Sequence, residues 1–323
     1  MKICVVGAGA VGGVIGVRLA SAGRPVSVLA RGATLAAIRS GGWRLREVDG
    51  RRTAHVTASD DPARLGPQDL VFLTVKAHSL PALAPSLVPL LGPDTVVVAA
   101  LNGVPWWFLH PRRLHSVDPT GSIAASIPAS SLVGCVVHLS ASVAAPGVVR
   151  LQAENELILG AARGGGAAGP DPGPAADALR GAGFSVRESA DVKADIWYKL
   201  WGNMTVNPIS ALTGATADKI LDDDLVNGFA HAVMREAAEI GARIGCPVGQ
   251  SPTDRNAVTR KLGAFKTSML QDAEAGRPIE LDAMLTVVRE IAATVDVPTP
   301  SLAALLGLTR LAARERGLYP TAP

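Results

Sequence analysis

Two groups of residues have types and spacings suited to chemistry. The first is Gly7-Ala8-Gly9-Ala10-Val11-Gly12, a GxGxxG run that follows a short apolar stretch and opens a helical pattern. Glycine at these positions permits a tight turn, close backbone approach to a pyrophosphate, and close packing of the helix on the preceding strand. The helix then turns free N–H groups and a partial positive charge toward the phosphates. The second group is Lys199, Asn203 and Asn207 within Trp197–Pro208, WYKLWGNMTVNP. At ~100° per residue each four-residue step turns only ~40°, so the three share one helical face. A lysine there carries a cation with hydrogen-bond donors, and two amides could bind polar atoms. Trp197, Leu200, Trp201, Met204 and Val206 are apolar, which suggests a helix surrounded by protein whose polar face needs partners. A bound polar substrate would be one. An amphipathic helix with a solvated stripe would account for the same spacing. Pro208 lacks a backbone N–H and is expected to kink or distort the helix beside this face.

These groups must be positioned by their elements. Lys2–Val6 reads as a strand, Val11–Ser21 as a helix and Pro25–Leu29 as a second strand, so the glycine run lies at a strand–turn–helix junction. Further strand patterns are Leu70–Val75, Thr95–Ala99, Val133–Ser140, Gly147–Leu151, Glu156–Leu159 and Phe184–Ser189. Helical patterns intervene at Ala33–Ile38, Leu80–Leu90 and Ala175–Ala182. This alternation predicts a largely parallel sheet covered on both faces, with the later strands as an antiparallel extension. Arg163–Pro174, RGGGAAGPDPGP, resembles a linker, yet Ala175–Ser189 continues the helix–strand pattern, so it reads as a surface loop within the first domain. Beyond Ala190 only helices are expected, over Asp191–Leu212, Asp222–Ile244, Pro252–Ala275, Glu280–Val295 and Ser301–Arg316. The fold class is therefore α/β. A Rossmann-type dinucleotide-binding domain over residues 1–190 precedes an all-α substrate and catalytic domain over 191–323.

The end of the second strand bears on which dinucleotide is bound. An NAD site usually carries Asp or Glu there for the ribose 2′-OH. Here the sequence is Val28-Leu29-Ala30-Arg31. An arginine can pair with a 2′-phosphate where a carboxylate would repel it, which favours NADP(H). The same arginine would also serve as an ordinary solvated charge. Lys76 follows the third strand pattern and Asn102 the fourth, both at carboxyl ends that face the cofactor crevice in such sheets. Each also has a plainer reading, Lys76 as a helix-start charge and Asn102-Gly103 as a turn.

The chain resembles the ketopantoate reductase (2-dehydropantoate 2-reductase) family over essentially its whole length. The resemblance rests on GAGAVG at 7–12, VKA at 75–77, NG at 102–103, WYKLWGNMTVNP at 197–208, TSMLQD at 267–272 and Glu280 in PIELDAM. It implies NADPH-dependent reduction of a 2-keto acid to a 2-hydroxy acid, ketopantoate to pantoate in pantothenate synthesis. Lys199 would be the general acid. Asn203 and Asn207 would bind substrate oxygens, and Ser268 the carboxylate or a hydroxyl. Asn102 would lie between cofactor and substrate, and Glu280 near the cofactor and the reacting oxygen. Family members occur as monomers and dimers, so a homodimer is left open. An asparagine found ten residues beyond Asn207 in some members is Ala217 here, between Thr216 and Asp218. A bulky Trp106-Trp107-Phe108 cluster follows Gly103. Both bear on which keto acid is taken. The alternatives are a reductase of this fold acting on another carbonyl compound, and a non-catalytic NADP(H)-binding regulatory protein.

Composition excludes several other classes. The 323 residues carry a net charge of +3, which makes no case for nucleic acid or a membrane surface. Mean hydropathy is +0.27, but the longest apolar stretches, around Leu87–Leu101 and Leu132–Val149, are interrupted by Pro, Asp, Gly, His or Ser. Neither reaches the ~20 apolar residues of a membrane span. The glycine spacing in Met1–Leu19 argues against a secretory signal. Cys4, Cys135 and Cys246 show no metal-binding spacing and read as buried reduced thiols of a cytoplasmic protein. His110, His115 and His138 read as structural or exposed.

Overall fold

A computed structural model of the chain describes residues 1–162, 169–261 and 263–320, apart from the side chain of Asn155. Two compact units emerge: Met1–Arg113 with Asp118–Asp195, and Leu114–Val117 with Ile196–Pro323.

In the first unit, short runs of β-branched and apolar residues form the strands β1 (Ile3–Val6), β2 (Val26–Leu29), β3 (Trp43–Glu47), β4 (Gly50–Ala54) and β5 (Thr57–Ser59). The series continues with β6 (Gln68–Leu73), β7 (Leu91–Ala99), β8 (Leu132–Ala145), β9 (Val148–Ala161) and β10 (Val186–Glu188). All ten join one sheet. Its parallel portion runs β5-β2-β1-β6-β7-β8, the 3-2-1-4-5-6 order of a doubly wound dinucleotide-binding sheet. Strand order reverses between β1 and β6, so the switch-point crevice opens at their carboxyl ends. The helices α1 (Ala10–Ser21), α2 (Gly32–Gly41), α3 (Leu80–Leu83), α4 (Ser122–Ser126) and α5 (Gly173–Gly181) accompany the sheet.

Some elements differ from the sequence pattern, each for a local reason. Leu80–Leu90 is a single α-helical turn followed by a 3₁₀ stretch over Ala84–Leu90, because Pro85 and Pro89 cannot donate to an α ladder. Gly147–Leu151 and Glu156–Leu159 are parts of one strand, β9, whose antiparallel pairing with β8 absorbs three register shifts. The β3–β4 hairpin is not among the strands that the sequence pattern predicts. Trp43 and Leu45 point inward between exposed arginines, and the hairpin pairs in parallel with β9. Within Arg163–Pro174, positions 163–168 lie outside the described residues.

The second unit is helical: α6 (Val192–Thr213, its first turn in the first unit), α7 (Ala217–Asp222), α8 (Asp224–Arg243), α9 (Pro252–Arg260) and α10 (Ser268–Glu274), then α11 (Val287–Thr294) and α12 (Pro300–Glu315). The expected helix at 252–275 is two helices. Gly263 adopts φ 70°, and the Thr267 side chain accepts from Leu270 N to begin α10. Likewise Asp223 caps α8 and separates it from α7. The expected helix at 280–295 begins as a π-helical turn over Asp282–Thr286. No helix among the described residues is long and apolar enough to cross a membrane.

Candidate active site

The glycine turn lies on the carboxyl edge of the sheet. Backbone N–H groups of Ala30, Gly7, Thr74 and Ala100 donate to Ser59, Leu29, Val6 and Leu73 respectively, at 2.9–3.0 Å, which aligns the strand ends in one row. Each glycine has its own reason. Gly7 adopts φ 102°, and a Cβ there would lie 2.8 Å from Val75 Cγ1. A Cβ on Gly12 would strike Gly7 O and Thr74 Oγ1. Thr74 Oγ1 lies 2.8 Å from Gly7 O, a contact the glycine pattern gave no hint of. Gly9 is different. It caps α1 with φ −77°, and a Cβ would meet no protein atom within 4 Å. Nothing in the protein itself requires glycine there, so the requirement points outward, to a group approaching the backbone closely.

Just inside that cap, the first turn of α1 carries no acidic residue and no side chain caps it. The N–H groups of Ala10, Val11 and Gly12 precede the first intrahelical bond, Gly13 N to Gly9 O at 2.8 Å. Ala8 and Val11 pack partly buried against the core. Gly13 and Gly16 seat α1 directly on Val149 and the Trp43 ring. Arg31 is exposed at the start of α2, directly after β2. Lys76 is half-buried two residues beyond Thr74, and Asn102 is half-buried just before Gly103 at φ 80°. The turn at 7–12, Arg31, Lys76 and Asn102 thus follow the carboxyl ends of β1, β2, β6 and β7. Trp106, Trp107 and Phe108 are buried, Trp107 against Gly134 of β8, so this cluster is core packing.

In the second unit, α6 runs unbroken through Pro208 to Thr213, so Lys199, Asn203 and Asn207 do share one face, spanning ~12 Å. Two tryptophans fix its rotation. The indole N–H groups of Trp197 and Trp201 donate to Ala237 O (3.3 Å) and Met234 O (2.7 Å) of α8. Gly241 provides the space for Trp197. These indoles lie ~160–200° around the helix from Lys199, which turns the lysine away from α8. Lys199 and Asn203 are half-buried, whereas Asn207 is buried with Nδ2 3.7 Å from Met284 Sδ.

Met284 belongs to the π-turn, four residues after the buried Glu280, so this contact brings the Glu280 segment to the Asn207 end of α6. Asp282 anchors the turn by accepting from Tyr319 Oη (2.7 Å) and Thr286 Oγ1 (2.8 Å). Burial, reinforced by Asp282, pushes the Tyr319 phenol up to about 12. Ser268 is exposed in the first turn of α10, beside the buried Thr267. Ala217 is buried, its N–H donating to Phe265 O (3.1 Å). The sequence pattern assigns no role to Thr74, Ser210, Thr267 or Met284, none of which stands out without its neighbours. Gly202, inside a helical pattern, was a visible signal.

The family model Ketopantoate reductase PanE/ApbA matches residues 3–164, and its C-terminal companion matches 191–313. The chain belongs to the ketopantoate reductase family. A 2-dehydropantoate 2-reductase of Mesorhizobium japonicum is 41% identical, over 99% of this chain and all of the relative. A crystal structure of a candidate ketopantoate reductase from Ralstonia solanacearum MolK2 superposes with a TM-score of 0.94 at 52% identity, covering 98% of this chain and 99% of that one. The 2-dehydropantoate 2-reductase of Geobacter metallireducens GS-15 gives 0.85 at 26% identity, covering 97% and 100%. The chain is accordingly an oxidoreductase, and NADP(H) is the cofactor of its family. The residues present fit that group: open space over Gly9, uncapped N–H groups at α1 and a cation at the end of β2.

Proposed function

We propose that this protein reduces ketopantoate, a 2-keto acid, to pantoate with NADPH, and that Lys199 is the general acid. The observation that supports this most is the single unbroken face of Lys199, Asn203 and Asn207, turned away from α8, in a chain that also carries the dinucleotide turn. Bound NADPH supplies the hydride that adds to the keto carbon. The Lys199 ammonium donates its proton to the carbonyl oxygen as negative charge develops there, and the amine regains a proton from solvent. Asn203 and Asn207 hydrogen-bond substrate oxygens and orient the carbonyl. Ser268 holds the carboxylate or a hydroxyl, and Glu280 stands by the reacting oxygen.

On the cofactor side, backbone N–H groups over Gly7–Gly12 hold the pyrophosphate, and Arg31 pairs with the 2′-phosphate. Lys76 and Asn102 complete the cofactor contacts. The cytoplasm, where NADPH is supplied, is the compartment this reading assigns. The test is a steady-state assay of NADPH absorbance with ketopantoate and a panel of 2-keto acids. Turnover of ketopantoate with the highest kcat/KM is the expected result, and turnover of none of the panel would refute the reading.

A further inference from the structure

Arg255, on α9, occupies an unusual position for a guanidinium. It lies across α6 at Gly202, where a Cβ would strike Nη2 and come within 2.6 Å of Cζ and 2.9 Å of Nε. Because Cζ is nearer than Nε, the guanidinium lays its face on the helix at that point. Its edge is turned elsewhere. Cζ also sits 5.4 Å from the centre of the Tyr198 ring, and Tyr198 is held by a 2.7 Å hydrogen bond from its hydroxyl to Gln250 Oε1. Nη1 donates to Thr259 Oγ1 at 2.9 Å, and Nε has no partner. Among the described residues no carboxylate pairs with Arg255. Burial draws its pKa below the ordinary arginine range, with Tyr198 opposing the shift.

Arg255 is half-buried, with Nε shielded and unpartnered and no anion beside it among the described residues; arginine resists neutralisation, so the arrangement calls for an anion from elsewhere. Its location identifies one. Gly202 is three residues beyond Lys199, ~60° around the helix from it, so the guanidinium lying on Gly202 borders the polar face. A glycine in a helix interior costs stability relative to alanine, and here it makes room for this side chain.

The geometry points to Arg255 as the residue that anchors the carboxylate of the 2-keto acid, leaving Lys199 to serve the carbonyl. Tyr198 and Gly202 hold the guanidinium in register, and Thr259 fixes its rotation. The inference rests on the reductase reading of the same face and adds a specificity determinant to it: the substrate must carry an anionic group adjacent to the carbonyl.

The test compares wild type, Arg255→Lys and Arg255→Met on ketopantoate and on the corresponding neutral 2-keto amide, with NADPH binding and melting temperature measured alongside. Loss of a charge-assisted pair should raise KM for the acid by roughly 10- to 100-fold in Arg255→Met. The amide should show no such change, Arg255→Lys should fall between, and NADPH affinity should hold. An equal rise in KM for acid and amide, or a lowered melting temperature with KM unchanged, would overturn the assignment and leave Arg255 as a packing residue. Binding of the 2-hydroxy acid, followed by tryptophan fluorescence, separates the two readings. Arginine-dependent binding by a wild-type protein that turns nothing over would count against the reductase reading alone. Binding by all three proteins with equal affinity would count against Arg255.

Discussion

Ser210 Oγ and Thr267 Oγ1 lie 2.5 Å apart, both fully buried, and join the end of α6 to the cap of α10. Ser210 also donates to Asn207 O (2.8 Å), and Thr267 accepts from Leu270 N (3.1 Å). The chain of contacts fixes where the first turn of α10, with Ser268, stands relative to Asn207. Thr267→Val keeps the shape but removes the cap and leaves a buried hydroxyl short of a partner. A loss of about 1–2 kcal/mol is expected, measurable by denaturant unfolding, together with a raised KM for the keto acid. Unchanged stability would show that the cap contributes nothing.

Gly9 and Gly12 should respond differently to a methyl group. Gly12→Ala drives a Cβ into Gly7 O and Thr74 Oγ1, so overpacking of about 1–3 kcal/mol should lower the melting temperature and NADPH affinity together. Gly9→Ala meets no protein atom and should leave the melting temperature of the apo protein within about 1 °C, while weakening NADPH. Calorimetry and a binding titration on both variants would check this. Equal melting losses would remove the distinction.

Lys199→Ala should lower kcat by about 10²- to 10⁴-fold, the usual contribution of a general acid, with NADPH affinity unchanged. Single-turnover kinetics would show whether the loss lies in the chemical step. Near-normal turnover would assign the proton to another group.

Arg31→Ala should reduce NADPH affinity by roughly 10-fold or more and NADH affinity little, since only NADPH carries the 2′-phosphate. A matched fall for both, measured by fluorescence titration, would show that Arg31 does not read that phosphate.

Cys4, inside β1, has its thiol raised from 9.0 to about 11, chiefly by burial and despite hydrogen bonds to Ser27 and Leu29 that lower it. Above pH 9 the unfolded thiol ionises while the folded one stays protonated, so the unfolded state binds fewer protons and stability falls as pH rises. The contribution is fully present below pH 9 and lost progressively to about pH 11, on the order of 2–3 kcal/mol. Denaturant unfolding between pH 8 and 11 should show this slope in wild type and a shallower one in Cys4→Ala.

The sequence by itself determined where the candidate residues lie along the chain and the elements that carry them. The glycine turn, Arg31 after β2, and Lys199, Asn203 and Asn207 at four-residue spacing all depend on contacts within a few residues, so their pattern is written along the chain. It also determined the α/β order, because alternating apolar runs and helical periods leave few other sheets. What required the tertiary structure was everything set by partners far apart in sequence. Trp43 and Leu45 become a sheet extension only because β9 lies alongside. Residues 252–275 look like one helix until Thr267 finds Ser210 57 positions earlier. Arg255 looks like one more surface charge until folding lays it on Gly202, where a shielded Nε with no partner among the described residues makes an ordinary arginine a candidate substrate contact.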